Sequence, residues 1–131
     1  MIDRAIRRFQ MAPHNPDADE AVIDLLHLVM LSDRLSSVDE RDRINTFVLS
    51  RKWPPGHNPE AYAQKSLAAS RAVLTDVDDL HRALDSVASR LVDTGHREYA
   101  VELCRDVANL DGVVAPTERA LIDYVHLRLN L

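Results

Sequence analysis

Apolar residues in this chain recur at three- and four-residue spacing and in no window alternate with polar ones, so the pattern predicts helices throughout and no sheet. Ile2, Ala5, Ile6 and Phe9 fall on one face of residues 2–11 with Arg4, Arg7 and Arg8 opposite, a short amphipathic helix. The Pro13 to Pro16 break follows, and Asp17 or Asp19 can cap a second helix reaching about Leu31. Its buried stripe is Val22, Leu25, Leu26, Val29 and Met30, with Glu20, Asp24 and His27 on a solvated flank. Ser37 with Glu40 has the form of a capping box opening a third helix, whose core contacts are Val38, Ile44, Phe47 and Val48. That helix runs to about Trp53, where Pro54-Pro55-Gly56 stops it, because proline has no amide hydrogen to donate.

The second half of the chain continues the pattern. Asn58 caps a fourth helix with Pro59 at its first position, and Ala61, Ala63, Ala68, Ala69 and Ala72 leave it slim enough for close approach by a neighbour. Thr75 or Asp76 opens a fifth, with Val77, Leu80, Leu84, Val87, Ala88 and Leu91 as the cleanest stripe of all. After Asp93-Thr94-Gly95 a sixth buries Ala100, Leu103, Cys104 and Val107 and shows Glu98, Glu102 and Asp106 one turn apart. Asp111-Gly112 closes it. Pro116 and Glu118 start the last helix, which carries Leu121, Ile122, Val125 and Leu129.

Two of these stretches are copies of one another. An offset of 78 residues sets Asp33 on Asp111, Glu40 on Glu118, Arg41 on Arg119 and Ile44 on Ile122. Without a gap it also sets Ile23 on Val101, Asp24 on Glu102, Leu25 on Leu103, His27 on Arg105 and Val29 on Val107. The unit is a helix, an acidic turn and a helix, and its recurrence is an internal repeat. The expected fold is therefore all-α: a single-domain bundle of about seven helices built from two pseudo-symmetric helix-turn-helix copies.

At 131 residues the chain can bury a core without metals or disulfides as staples. A net charge of −5 and a pI near 5.6 disfavour a nucleic-acid backbone as partner. Cys104 is the single cysteine, which rules out an intramolecular disulfide and suits a reducing compartment. No apolar run approaches bilayer length and the N-terminus lacks the pattern of a secretory signal, so a cytoplasmic location is expected. The 2–11 helix can touch a membrane surface, but an arm docked on the bundle is favoured, since an interfacial anchor usually carries a longer apolar face.

Asp111-Gly112, Val114, Pro116, Glu118-Arg119 and Leu121-Ile122 together resemble the TerB-like (tellurite-resistance TerB) family. The likeness covers residues 20–131 and is fainter in the first copy, where Arg34 stands for the glycine and Ser36 for an aliphatic residue. It divides the chain into an N-terminal arm, 1–16, and a TerB-like helical domain, 17–131. It implies two pseudo-symmetric halves, a place in bacterial stress-response or tellurite-resistance systems, protein partners, and acidic turns proposed to hold a divalent metal. Glu40, Arg41, Gly112, Pro116, Glu118 and Arg119 carry the motif here.

The residues themselves limit that chemistry. An EF-hand needs side-chain oxygens at alternating loop positions, and Val113, Val114 and Ala115 offer none. A looser calcium, magnesium or manganese site drawn from Asp24, Asp33, Glu102, Asp106 and Asp111 remains. The preferred reading of the turn is a helix stop, with Gly112 left-handed and Glu118 bonding back to free amides. No two of the six histidines have the spacing of a helical zinc site, and Cys104 reads as a small core residue. No catalytic residue and no required cofactor is expected. The leading function is a non-catalytic domain acting through protein partners; a metal-dependent hydrolase using the same carboxylates and a purely structural or dimerisation module are the alternatives.

Overall fold

The computed structural model describes residues 16–32, 38–109 and 116–131. They form six helices: α1 (Pro16–Leu31), α2 (Val38–Ser50), α3 (Pro59–Val73), α4 (Val77–Arg90), α5 (Thr94–Ala108) and α6 (Pro116–Arg128), with no strand among the described residues. The helix expected over 2–11, the capping Ser37 and both acidic turns lie outside them. None of the six is long and apolar enough to cross a membrane.

The bundle is built around α1, which touches each of the other five helices. Its sequence from Ala21 to Leu31 is apolar except at Asp24 and His27, and a helix hydrophobic on all sides must be enclosed on all sides. Ile23 and Leu28 are accordingly as buried as the expected stripe of Val22, Leu25, Leu26, Val29 and Met30. Phe47 and Ile44 of α2, Leu84, Val87 and Leu91 in and after α4, Leu103 and Cys104 of α5, and Val125 of α6 complete one core. Burial pushes the Cys104 thiol up to about 12, so it packs as an inert apolar group.

The helix starts follow local chemistry. The Asn58 side chain accepts the Ala61 amide at 3.0 Å, Asp76 accepts from Asp78 and Asp79 at 2.8 and 3.2 Å, and Asp93 accepts from His96 at 3.0 Å. Each fills orphan donors of a first turn. A Cβ on Gly95 would stand 3.0 Å from the Asp93 Oδ1 that caps α5, which keeps that position small. Between α2 and α3 the His57 amide donates to the Pro54 carbonyl at 3.1 Å, and Gly56 has φ +91. Proline then glycine at the centre of such a turn is the type II preference.

Four packing expectations need correction. Val38 and Val77 are first residues of their helices and are 73 % and 69 % exposed, so neither reaches the core. Helix α2 stops at Ser50 rather than Trp53; Ser50 Oγ donates to the Phe47 carbonyl at 2.6 Å and Trp53 Nε1 to the Val48 carbonyl at 2.9 Å, closing the end with side chains. The α3 alanines Ala68, Ala69 and Ala72 face solvent, while Ser66 and Ser70 are the buried residues of that helix. His27, expected on a solvated flank, is 5 % exposed.

The 78-residue offset reappears in the helix bounds: α1 and α5 begin at Pro16 and Thr94, and α2 and α6 run Val38–Ser50 and Pro116–Arg128. Two pairs of residues at that offset each form a tertiary link, though of different chemistry. In the first half Asp19 accepts from Arg51 Nε at 2.9 Å, both side chains buried, joining the start of α1 to the end of α2. In the second half, Arg97 and Leu129 occupy the matching positions, and Arg97 Nη1 donates to the Leu129 carbonyl at 3.0 Å.

Candidate functional site

The expected ligand set does not form one cluster. Asp33, Asp111 and Gly112 lie outside the described residues. Asp24, on α1, is engaged by two other helices: its Oδ2 accepts from Tyr62 Oη of α3 at 2.8 Å and from Arg90 Nη2 of α4 at 2.7 Å. Arg90 Nη1 also donates to Tyr62 Oη at 3.1 Å, closing a three-membered network. Burial and the neighbouring carboxylate push the Tyr62 phenol well above its usual range, so it stays a neutral donor. Asp24 faces a cavity of about 260 Å³ between α1, α3 and α4, whereas Asp106 faces a different one. Among the described residues no group of three or more His, Cys, Asp or Glu is placed to hold a metal ion.

The motif glutamates do share an environment. Glu40 and Glu118 are each the third residue of their helix, α2 and α6, and each is buried, 7 % and 4 % exposed. A carboxylate at that position suits the positive end of the helix dipole. The following residues, Arg41 and Arg119, are exposed, and each lines a groove.

The first groove, about 430 Å³, lies between α1, α2 and α3. Met30, Ile44, Val48 and Leu67 make its floor; His27, Arg41, Glu60 and Gln64 supply the polar groups. His27 Nδ1 shares a hydrogen bond with Ser66 Oγ at 2.9 Å. Loss of hydration on burial lowers the imidazole to about 4, with Asp24 opposing and Arg71 reinforcing the shift, so the ring is neutral near pH 7. Leu49 lies at the edge of this groove and is 72 % exposed.

The second groove, about 400 Å³, is walled by α5 and α6. Its Arg105, Arg119, Ile122 and Asp123 each stand 78 residues after a residue of the first groove: His27, Arg41, Ile44 and Asn45. The chemistry differs where the position does not, since Asp106 replaces Leu28 and Asn109 replaces Leu31. Asp106 Oδ2 is shut off from solvent without a hydrogen-bond partner. Burial, and the negative charge of Glu102, raise its carboxyl above the ordinary range.

Against known proteins, the chain matches no family model, and no curated protein or solved structure is similar to it. The site therefore stands on its own geometry.

Two features of that geometry have no forerunner in the sequence patterns, and a third has one. The Asp24–Tyr62–Arg90 network joins residues up to 66 positions apart, and no spacing rule pairs them. The buried Asp19–Arg51 pair is equally non-local. For His27 a signal existed: it sits inside the long apolar run of α1, and a polar residue there has to be enclosed and partnered.

Proposed function

We propose that this chain is a non-catalytic, TerB-like helical interaction domain, with halves related by a rotation near two-fold, that binds partner proteins in a bacterial stress-response setting. The observation that carries this reading is which residues the two halves keep in common. Leu25 and Leu103, Val29 and Val107, Ile44 and Ile122, and Glu40 and Glu118 are identical and buried, which packing explains. Arg41 and Arg119, and Leu49 and Leu127, are identical and exposed, the leucines at 72 % and 70 %. Packing inside the bundle does not require an exposed leucine, and a partner does.

Arg41 and Leu49 are eight residues apart on one face of α2, about 12 Å along the helix. The fitting partner is an acidic amphipathic helix that sets a carboxylate on Arg41 and an apolar side chain on Leu49 and the groove floor. Covering an exposed leucine contributes about 1.5–3 kcal/mol, an order of magnitude or more in affinity. Selection of helical peptides from a display library on the whole domain tests this. Peptides carrying a carboxylate seven or eight residues from an apolar anchor should emerge, and Leu49→Ser or Arg41→Glu should weaken them at least tenfold; peptides indifferent to both changes would refute it.

A weak divalent-ion site in the second half is a second reading, supported by the unpartnered Asp106 oxygen beside Glu102. Calorimetric titration of calcium or manganese into metal-free protein tests it. Heat lost in Asp106→Asn supports the ion, and no heat at millimolar metal removes it.

A further inference from the structure

The cavity of about 260 Å³ between α1, α3 and α4 draws polar groups from all three helices. Leu28, Ser66 and Ser70 line it and are buried, while Lys65, Ala69 and Ser86 line it and are exposed, so it has a closed floor and an open mouth. At about 30 Å³ per water it holds about nine waters, the space of a solute with about nine or ten non-hydrogen atoms. Three of its polar groups have capacity left over. Asp24 accepts from Tyr62 and Arg90 through Oδ2 in both bonds, and Oδ1 has no donor among the described residues. Ser66 is joined to His27, but the hydroxyl of Ser70, a residue 4 % exposed, makes no hydrogen bond among them. Arg90 is spent on Asp24, Tyr62 and the Ser86 carbonyl, which leaves Lys65 as the cation without a carboxylate partner among them. An apolar pocket with a few converging polar groups is the usual form of a small-molecule site.

We propose that this cavity binds a free α-amino acid of glutamine size, with a hydrogen-bonding group at the end of its side chain. Two placements select that class. Lys65 follows Tyr62, the partner of Asp24, by about 4.5 Å along α3, so an open acceptor and an open cation flank one end of the cavity. An ammonium and a carboxylate on one carbon match that pair. Ser70 lies about 12 Å beyond Tyr62 along the same helix. A hydrogen bond of about 3 Å at each end leaves about 6 Å for the ligand, the distance from the ammonium of an α-amino acid to the tip of a glutamine-sized side chain. The ammonium donates to Asp24 Oδ1, the carboxylate accepts from Lys65, the methylenes pack on Leu28 and Ala83, and the side-chain amide meets Ser70. Because the Tyr62 and Arg90 bonds already hold Asp24 in place, little ordering of that side chain is left to binding. The inference rests on this cavity alone and does not depend on a partner binding the first groove.

Titration of glutamine into the whole chain, followed by amide NMR, tests the proposal. The amides of Ser66, Ser70, Ala83 and Ser86 should shift and approach saturation by about 10 mM. Glutaramic acid, which lacks the ammonium, and γ-aminobutyramide, which lacks the carboxylate, should each bind at least about tenfold more weakly, and leucine, which lacks the polar tip, at least about threefold. Lys65→Met, at an exposed position that tolerates the change, should weaken glutamine at least about fivefold and leave γ-aminobutyramide as it was. Asp24 is kept intact, because its bonds tie three helices together. No saturable shift by about 10 mM, shifts centred outside the cavity, a truncated ligand or leucine that binds as well as glutamine, or glutamine binding that Lys65→Met leaves unchanged would overturn the proposal.

Discussion

Helices α1 and α5 share a register, a pattern of core leucines and valines, and a following motif helix, but among the described residues one is enclosed by five helices and the other meets three, α1, α2 and α6. The difference traces to a few positions. Where α1 has Ala21, Leu28 and Leu31, α5 has Tyr99, Asp106 and Asn109, of which none is fully buried. Two helices of one pattern can share an inner face and differ on the outer one, because core packing constrains only the inner face. Here α3 and α4 lie between the two stretches in sequence and pack on α1, so α1 is the centre of the bundle and α5 lies at its edge.

The largest effect should come from moving the edge residue into the centre. Leu28→Asp places a carboxylate at a site 2 % exposed and should cost more than about 4 kcal/mol, leaving the chain largely unfolded by circular dichroism. A folded variant would mean that the outer face of α1 is not enclosed. Next is the link between the helix ends. Arg51→Met removes the guanidinium that donates to the buried Asp19 carboxylate and should cost about 3–5 kcal/mol in urea unfolding. Its counterpart Arg97→Met exposes only neutral carbonyls and should cost clearly less, about 1–3 kcal/mol. Equal losses would break the contrast. Leu84→Ala, on the buried face of α4, should cost about 2–5 kcal/mol.

The pH dependence separates the halves in a different way. Because the folded chain holds His27 neutral down to about pH 4 and the unfolded chain binds the proton from about 6.5, the unfolded state takes up the proton first on acidification. The stability contributed by the neutral ring is complete above pH 6.5 and is lost as pH falls toward 4, roughly 3 kcal/mol in all. His27→Gln should flatten that part of the stability profile. An unchanged profile would show that the ring is hydrated in the folded state. The matching position in the second half holds an exposed arginine, Arg105, in place of the buried imidazole.

Much of this fold is legible in the order of residues, for identifiable reasons. Caps at Asn58, Asp76 and Asp93 and the Pro-Pro-Gly turn are local chemistry and declare helix ends directly. The repeat offset can be read from a handful of identities and reappears in the helix bounds. What periodicity hides is how many faces a helix buries. The α1 run was legible as one stripe, although its apolar residues go almost all the way round. Val38 and Val77 fit the pattern of their stripes but sit on first turns that project beyond the core. The site is less legible than the fold. Asp24 stands out in the sequence for its charge, yet its partners Tyr62 and Arg90 become neighbours only when three helices meet. The acidic turns themselves, Asp33 and Asp111, lie outside the described residues.

Native-state hydrogen exchange tests the central contrast between the halves most directly, because it reports opening free energies helix by helix. Amides of α1 from Ile23 to Met30 should exchange only through global unfolding, with the full denaturant dependence. Amides at the end of α5, from Arg105 to Ala108, should exchange through a smaller opening, at least about 1–2 kcal/mol below the global value, with little denaturant dependence. Equal protection of the two, or earlier opening of α1, would contradict the account of one enclosed and one open half.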